Sequence, residues 1–480
     1  VNILLISGII LLTCAISSKV LYRYGIPTLA MFLAMGMIMG SEGIGGVYFD
    51  NAQLATSISN LGLVFIMFSG GFGTNWETAK PVAFSSAVLA TFGVALTALL
   101  IGIFSYFVLG LTFLEGMLLG SIISSTDAAS VFSILRSKKL DLKNGLAPML
   151  EMESGSNDPM AYMLTTIFLG LILGKGENVF LLLATQIAIG LIVGAIVGKL
   201  AVWLINNIKL DIDGLYSIIV IGIALLSFAL AELFTGNGFL AVYITGIIMG
   251  NSRLVHKVSL VRYFDGLSWL MQILLFFTLG LLVFPSRLLN VILPGIATAV
   301  FIIFVARPIA VFIILSIFKR PIKDQLLVSW VGFRGAAAIV FATYPLTAGL
   351  AVADYIFNIV FFVAVVSVLV QGTLFIPIAK KLNLIGSEET VLKTFTDYSG
   401  EIHAELLEVK IPEDSKIANK TIMDLDIPMD ILIVMVRRNG KIITPRGATE
   451  IKAGDIMMLA GGNKEQLMSM DEKIKGSFSF

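Results

Sequence analysis

One pattern limits this chain more than any other: apolar runs of membrane-crossing length recur along most of it, more than a soluble core accommodates. A helix needs about 20 apolar residues to cross the hydrocarbon layer. Thirteen candidates occur, at 2–20, 27–47, 54–73, 81–109, 114–135, 145–174, 177–205, 215–233, 238–250, 263–284, 288–318, 325–347 and 352–379. The ninth is short, so it must thin the bilayer, pack inside a bundle or extend past these limits. Charged residues are 14% of the 480, against roughly 25% in soluble proteins, so lipid is the expected solvent. The first run has no basic flank and no small-residue cleavage site, and it reads as a span, not a cleaved signal. The sequence opens at Val1 and not at Met, so preceding native residues are expected.

Lys and Arg in the connecting loops set the orientation. Sixteen follow odd-numbered runs, including Arg136, Lys138, Lys139, Lys143, Lys319, Arg320 and Lys323, and only Lys175 and Arg287 follow even-numbered ones. This predicts an odd number of spans in a cell membrane, the N-terminus outside and the C-terminus in the cytoplasm. The composition changes near residue 386, giving three expected segments: a membrane domain over 1–385, a linker over 386–400, and a small soluble α/β domain over 401–480. There, β-branched runs flank Asn439-Gly440, the signature of a hairpin with a type I′ turn. A lone Cys14 and two distant histidines, His256 and His403, exclude an intrachain disulfide and argue against a clustered metal site. No cofactor is expected.

Ionisable groups inside spans are costly and face a bundle interior or a wet cavity. Two clusters stand out. Ser124-Ser125-Thr126-Asp127 interrupts the fifth run with groups that compete for the backbone and favour local unwinding. Glu151-Met152-Glu153-Ser154-Gly155-Ser156-Asn157-Asp158-Pro159 lies in the sixth. Pro159 removes a backbone donor and frees a carbonyl near position 155. Carboxylate, hydroxyls and carbonyls together suit a hard alkali cation. Asp127 is expected to neutralise a helix N-terminus exposed at the break more than to ligate the ion directly. Arg334, within the twelfth run, requires a carboxylate; Glu153 is the expected partner in a structural ion pair, with Glu151 the alternative. Arg307, before Pro308, is read as snorkelling towards the cytoplasmic face. Glu232, near a membrane edge, is given a structural role.

Taken together, Ser125-Thr126-Asp127-Ala128-Ala129, Glu153 to Pro159, Gly238-Phe239-Leu240-Ala241-Val242-Tyr243 and Gly332-Phe333-Arg334-Gly335-Ala336, in this order, resemble the monovalent cation:proton antiporter-1 family, in particular its NhaP-type members. The resemblance covers nearly all of residues 1–382. It implies a homodimer with inverted repeats and two unwound helices crossing near the ion, here at Thr126-Asp127 and near Arg334. The family's Asn-Asp pair falls on Asn157 and Asp158, its cation ligands on Asp158, Ser154 and the Thr126 backbone, and its Glu–Arg pair on Glu153 and Arg334. Some sodium-selective relatives offer a further acid from the third span. This chain has Phe68-Ser69-Gly70-Gly71-Phe72-Gly73 there, which favours potassium over sodium. Residues 401–475, with Glu408-Val409-Lys410-Ile411-Pro412, Pro445-Arg446-Gly447 and Ala453-Gly454-Asp455, resemble the TrkA-C module. That resemblance implies dimerisation and binding of a small regulator, cyclic di-AMP among the possibilities; the alternative is a dimerisation module without a ligand.

The expected activity is electroneutral exchange, with one cation and one proton competing for Asp158 and Asn157 holding that helix in place. A ligand-gated channel is the rival class, but no Thr-Val-Gly-Tyr-Gly filter is present. An intramembrane aspartyl protease built on Asp127 and Asp158 needs two acids sharing a proton, and Asn157 with the compensated Glu153 points elsewhere. A transporter of organic solutes lacks the aromatic clustering expected around the polar motifs.

Overall fold

The computed structural model describes residues 8–16, 28–137, 140–176, 178–386, 405–412, 415, 417–425, 427–428, 431–438, 441–461 and 470. The linker from Ser387 onward, His403, the Asn439-Gly440 turn and the basic residues Lys138 and Lys139 lie outside the described residues. The chain forms two compact units, Val1–Thr396 and Asp397–Phe480.

The first unit is helical. Its helices are α1 (8–16), α2 (Thr28–Met39), α3 (Ala52–Gly73), α4 (Ala83–Val108), α5 (Phe113–Ile123), α6 (Ala128–Ser137), α7 (Leu146–Ile172) and α8 (Val179–Asn207). They continue as α9 (Gly214–Leu233), α10 (Gly238–Gly250), α11 (Lys257–Leu281), α12 (Ile292–Ile317), α13 (Ile322–Trp330), α14 (Ala336–Thr347) and α15 (Ala353–Lys381). Among the described residues, seven are long and apolar enough to cross a membrane: α3, α4, α8, α9, α11, α12 and α15. Two spans are broken. α5 and α6 are halves of the fifth, separated by Ser124 to Asp127; α13 and α14 are halves of the twelfth, separated by Val331 to Gly335.

The helices sort into two bundles by packing. α2, α3, α8, α9, α10 and α11 pack on one another as a scaffold, while α4, α5, α7, α12, α13, α14 and α15 pack as a core that holds both breaks. The scaffold is drawn together by small residues. A Cβ on Gly36 would lie 2.3 Å from the Phe277 carbonyl, and one on Gly280 would lie 2.3 Å from the Leu33 carbonyl. Lipid supplies no hydrophobic force between helices, so such close backbone approach is how they gain contact. Gly71, in the acid-free stretch of α3, serves likewise, with its Cβ position 2.3 Å from the Tyr243 carbonyl of α10.

The second unit holds a four-stranded antiparallel sheet in the order β1-β6-β3-β4, with β1 Glu405–Lys410, β3 Ile431–Arg438, β4 Lys441–Ile443 and β6 Ile456–Gly461. A two-stranded pair joins β2 (Lys420–Thr421) to β5 (Glu450–Ile451). Alternation buries Ile431 and Ile433, then a bulge between Ile433 and Met435 shifts the register and turns Val436 inward. The structure gives the Ala453-Gly454-Asp455 motif a physical role. Gly454 takes φ +82 in the turn before β6, and the Asp455 carboxylate accepts two bonds from Arg438, at 2.7 and 2.8 Å, and one from the Lys452 amide. Burial pushes the Asp455 carboxyl up, but these donors and the Arg438 charge outweigh it and hold it below the usual range.

Candidate functional site

Helix α7 places its polar residues on two faces. Glu151, Gly155, Asp158, Tyr162 and Thr166 are partly exposed, whereas Glu153, Ser154, Asn157, Pro159 and Ala161 are buried. The spacing of three or four residues makes the first set one stripe along the helix, and Asp158 sits midway along it.

The neighbouring face docks onto the first break. The Ser125 hydroxyl donates to Asp158 Oδ1, and the Asn157 amide donates to the Thr126 hydroxyl. The Ser154 hydroxyl donates to the Thr126 carbonyl at 2.7 Å. Asp158, Asn157, Ser154 and Thr126 therefore meet in one place, with Ser125 added. Asn157 Oδ1 is buried with no hydrogen-bond partner among the described residues. Two residues along α7, the Pro159 carbonyl accepts the side-chain amide of Asn237, the N-cap of α10, at 2.8 Å.

The two breaks touch. The Asp127 amide donates to the Phe333 carbonyl at 2.8 Å. The Asp127 carboxylate caps the first turn of α6 through the Ser130 hydroxyl at 2.6 Å and the Ser130 amide at 3.4 Å. It also lies against the start of α14, because a Cβ on Gly335 would fall 2.4 Å from Asp127 Oδ2. One carboxylate thus faces two helix N-termini, where negative charge is favoured by about 0.3–1 kcal/mol each, and up to about 2 when partly buried. Arg334 does the converse: its Nη1 donates to the Ser124 and Ser125 carbonyls, at 2.7 and 2.8 Å, at the C-terminal end of α5.

This corrects the expected ion pair. The Arg334 guanidinium donates its hydrogen bonds to main-chain carbonyls of the break and to neither Glu153 nor Glu151. Glu153 pairs instead with Arg307 of α12, whose Nη2 lies 2.6 Å from Oε1 and 2.9 Å from Oε2. Both side chains are almost fully buried, 3% and 1% exposed, so Arg307 does not snorkel. The reason is angular. Glu153 precedes Ser154 by one residue, about 100° around the helix, and when Ser154 faces the break Glu153 faces α12. A π-turn at Ile302–Ala306 immediately precedes Arg307.

The second break carries groups that the sequence reading passed over. On α15, the Gln371 amide donates to the Trp330 carbonyl at 2.7 Å, and Ser367 accepts the Arg334 amide at 3.0 Å and donates to Gln371. Their signal was a polar pair four residues apart in an otherwise apolar run.

Room at the crossing is tight. Gly335→Ala is expected to force the Asp127 carboxylate off α14, an overpacking cost of about 1–3 kcal/mol. A lower thermal unfolding midpoint of the purified protein in detergent checks it; an unchanged midpoint would mean that the crossing yields freely.

Comparison with known proteins gives consistent matches. Residues 8–381 match the family model described as sodium/hydrogen exchanger, transmembrane, and residues 406–475 match the TrkA-C domain. The K(+)/H(+) antiporter NhaP of Alkalimonas amylolytica is 37% identical over 462 residues, 95% of this chain and 80% of the relative. The K(+)/H(+) antiporter NhaP2 of Shewanella baltica is 35% identical over 468 residues, 96% of this chain and 81% of that protein. Among solved structures, the sodium proton antiporter MjNhaP1 from Methanocaldococcus jannaschii at pH 8 superposes with a TM-score of 0.70 at 25% identity, covering 78% of this chain and 97% of its own.

Proposed function

The chain belongs to the sodium/hydrogen exchanger family, and from that premise we propose that it exchanges one potassium ion for one proton at Asp158. The family makes it a monovalent cation/proton antiporter, a secondary transporter and not an enzyme.

The observation that carries the assignment is a charge count at the crossing. Asp127 and Glu153 are the fixed carboxylates there, and Arg334 and Arg307 are the buried cations set against helix ends and Glu153. Asp158 is left over, on the partly exposed stripe of α7, held by a neutral hydroxyl. A bare carboxylate is expensive to carry through a low-dielectric barrier. Bound cation or bound proton neutralises it equally, so either loaded form moves and the empty form does not. Ser154 and the Thr126 carbonyl supply further oxygens, Asn157 holds α7 to the break and offers its buried Oδ1, and Asp127 sets the local field.

Three features support potassium. The relatives named for potassium match this chain across 95% and 96% of its length, through the TrkA-C region. MjNhaP1, named for sodium, covers 78% of it. The third span carries no acid over Phe68 to Gly73, where some sodium-selective relatives offer one. The C-terminal domain is then a cytoplasmic regulator that senses a small ligand, a nucleotide such as cyclic di-AMP among the candidates, in a homodimer whose N-terminus lies outside.

Purified protein in proteoliposomes tests this. Proton flux is expected to follow a potassium gradient in preference to sodium or lithium, at a rate that an imposed membrane potential leaves unchanged. A rate that tracks the potential would refute one-for-one exchange, and single-channel currents would move the protein to the rival class.

A further inference from the structure

Glu232, in the last turn of α9, is partly buried and forms no ion pair with any Lys, Arg or His among the described residues. Its Oε1 accepts the Gly238 amide of α10 at 3.0 Å. The Tyr162 hydroxyl of α7 reaches its two oxygens at 3.3 and 3.4 Å, long for an O–H donor. Tyr162 lies on the same stripe as Asp158, one turn nearer the 173–178 loop, the end of the bundle with few basic residues. Its ring packs into an aromatic cluster between Asp158 and that end. It meets Phe239 edge-on at 5.0 Å and Tyr344 edge-on at 5.9 Å, and lies 5.9 Å from Phe341.

A permanent tie between a tyrosine and a helix N-terminus needs only a neutral acceptor such as Gln. A carboxylate without a cation partner, inside a span and touched only loosely by a hydroxyl, carries a charge whose cost the single amide at the α10 N-terminus offsets only in part. The charge is accounted for if its partner is the transported ion. We infer that Glu232 is a second, transient site for the monovalent cation, in series with Asp158, and that an ion arriving from the basic-poor side takes the carboxylate from Tyr162 and frees the aromatic closure. The carboxylate then triggers opening with the substrate itself.

This inference rests on the reading of Asp158 as the deeper site, and its test separates the two. In a Cys14→Ala background, Asp158→Cys serves as a reporter that neither binds the cation nor transports. A membrane-impermeant thiol reagent is applied to oriented proteoliposomes from the side of the 173–178 loop. Labelling is expected to be slow in choline and several-fold faster in potassium, because the ion can act only at the outer site. Adding Glu232→Gln is expected to abolish the potassium dependence, and Tyr162→Phe, which keeps the ring and loses the hydroxyl, to give fast labelling in choline. Labelling that ignores potassium in the parent, or that keeps its potassium dependence in Glu232→Gln, overturns the inference. Should Glu232→Gln fail to fold, Tyr162→Phe decides: slow labelling in choline is the contrary result. Exchange surviving in Asp158→Asn would sink the deeper site and leave these outcomes readable.

Discussion

Asp158→Asn is expected to bring potassium-driven proton flux down to that of protein-free vesicles, with folding and insertion intact. The substitution keeps an oxygen at the position where Ser125 donates, so the docking of α7 on the break persists. It removes the one charge that changes. An amide neither takes a proton near neutral pH nor repays a potassium ion for its lost water, and a cation without a counter-charge inside lipid is prohibitive. The outcome is therefore an all-or-none loss and not a shifted apparent affinity. Asp158→Glu separates the need for charge from the need for place. It keeps the carboxylate one methylene further out, and measurable exchange with weakened cation affinity is expected. Initial rates of proton uptake against external potassium read both.

The second large effect concerns stability. Arg307→Met leaves the Glu153 carboxylate, 1% exposed, without its cation. Breaking a buried pair by removing one partner costs about 3–5 kcal/mol, mostly the stranded charge, whereas replacing both partners is often close to neutral. Arg307→Met is thus expected to lower the unfolding midpoint markedly, and Arg307→Met with Glu153→Met to recover most of the loss. The double-mutant cycle also discriminates between partners. Neutralising Glu153 is expected to rescue Arg307→Met and not Arg334→Met, because Arg334 serves the carbonyls at the end of α5. Rescue of Arg334→Met by Glu153→Met would reinstate the pairing expected from sequence.

That reversal shows where sequence reading stops. The spans, the first interruption and the sheet domain were legible, because apolar length, a helix-breaking polar run and two-residue alternation are written along the chain; the second interruption, in Val331 to Gly335, came from the family resemblance alone. The clustering of Ser154, Asn157 and Asp158 followed from their nearness in sequence. The partner of Arg334 did not. A sequence shows charges but not the carbonyls that an unwound segment exposes, so a search for a carboxylate overlooked the main chain as the acceptor. Arg307 was misjudged for a related reason: its distance from the membrane face was estimated along the helix, while its direction depends on how α12 is rotated against α7. Gln371 and Ser367, carrying no charge, gave too little signal to register.

Those two residues have one more implication. The Ser154–Asp158 pair of α7 sits against the first break, and the Ser367–Gln371 pair of α15 sits against the second, each spaced by four residues. Both breaks are thus held by a hydroxyl and a carbonyl-bearing side chain four residues apart on a neighbouring helix, but only the α7 pair can ionise, since a primary amide stays uncharged across the physiological range. With Gln371 at the second break, the proposed exchange has a charge to neutralise at the first break alone, which is what one-for-one exchange requires.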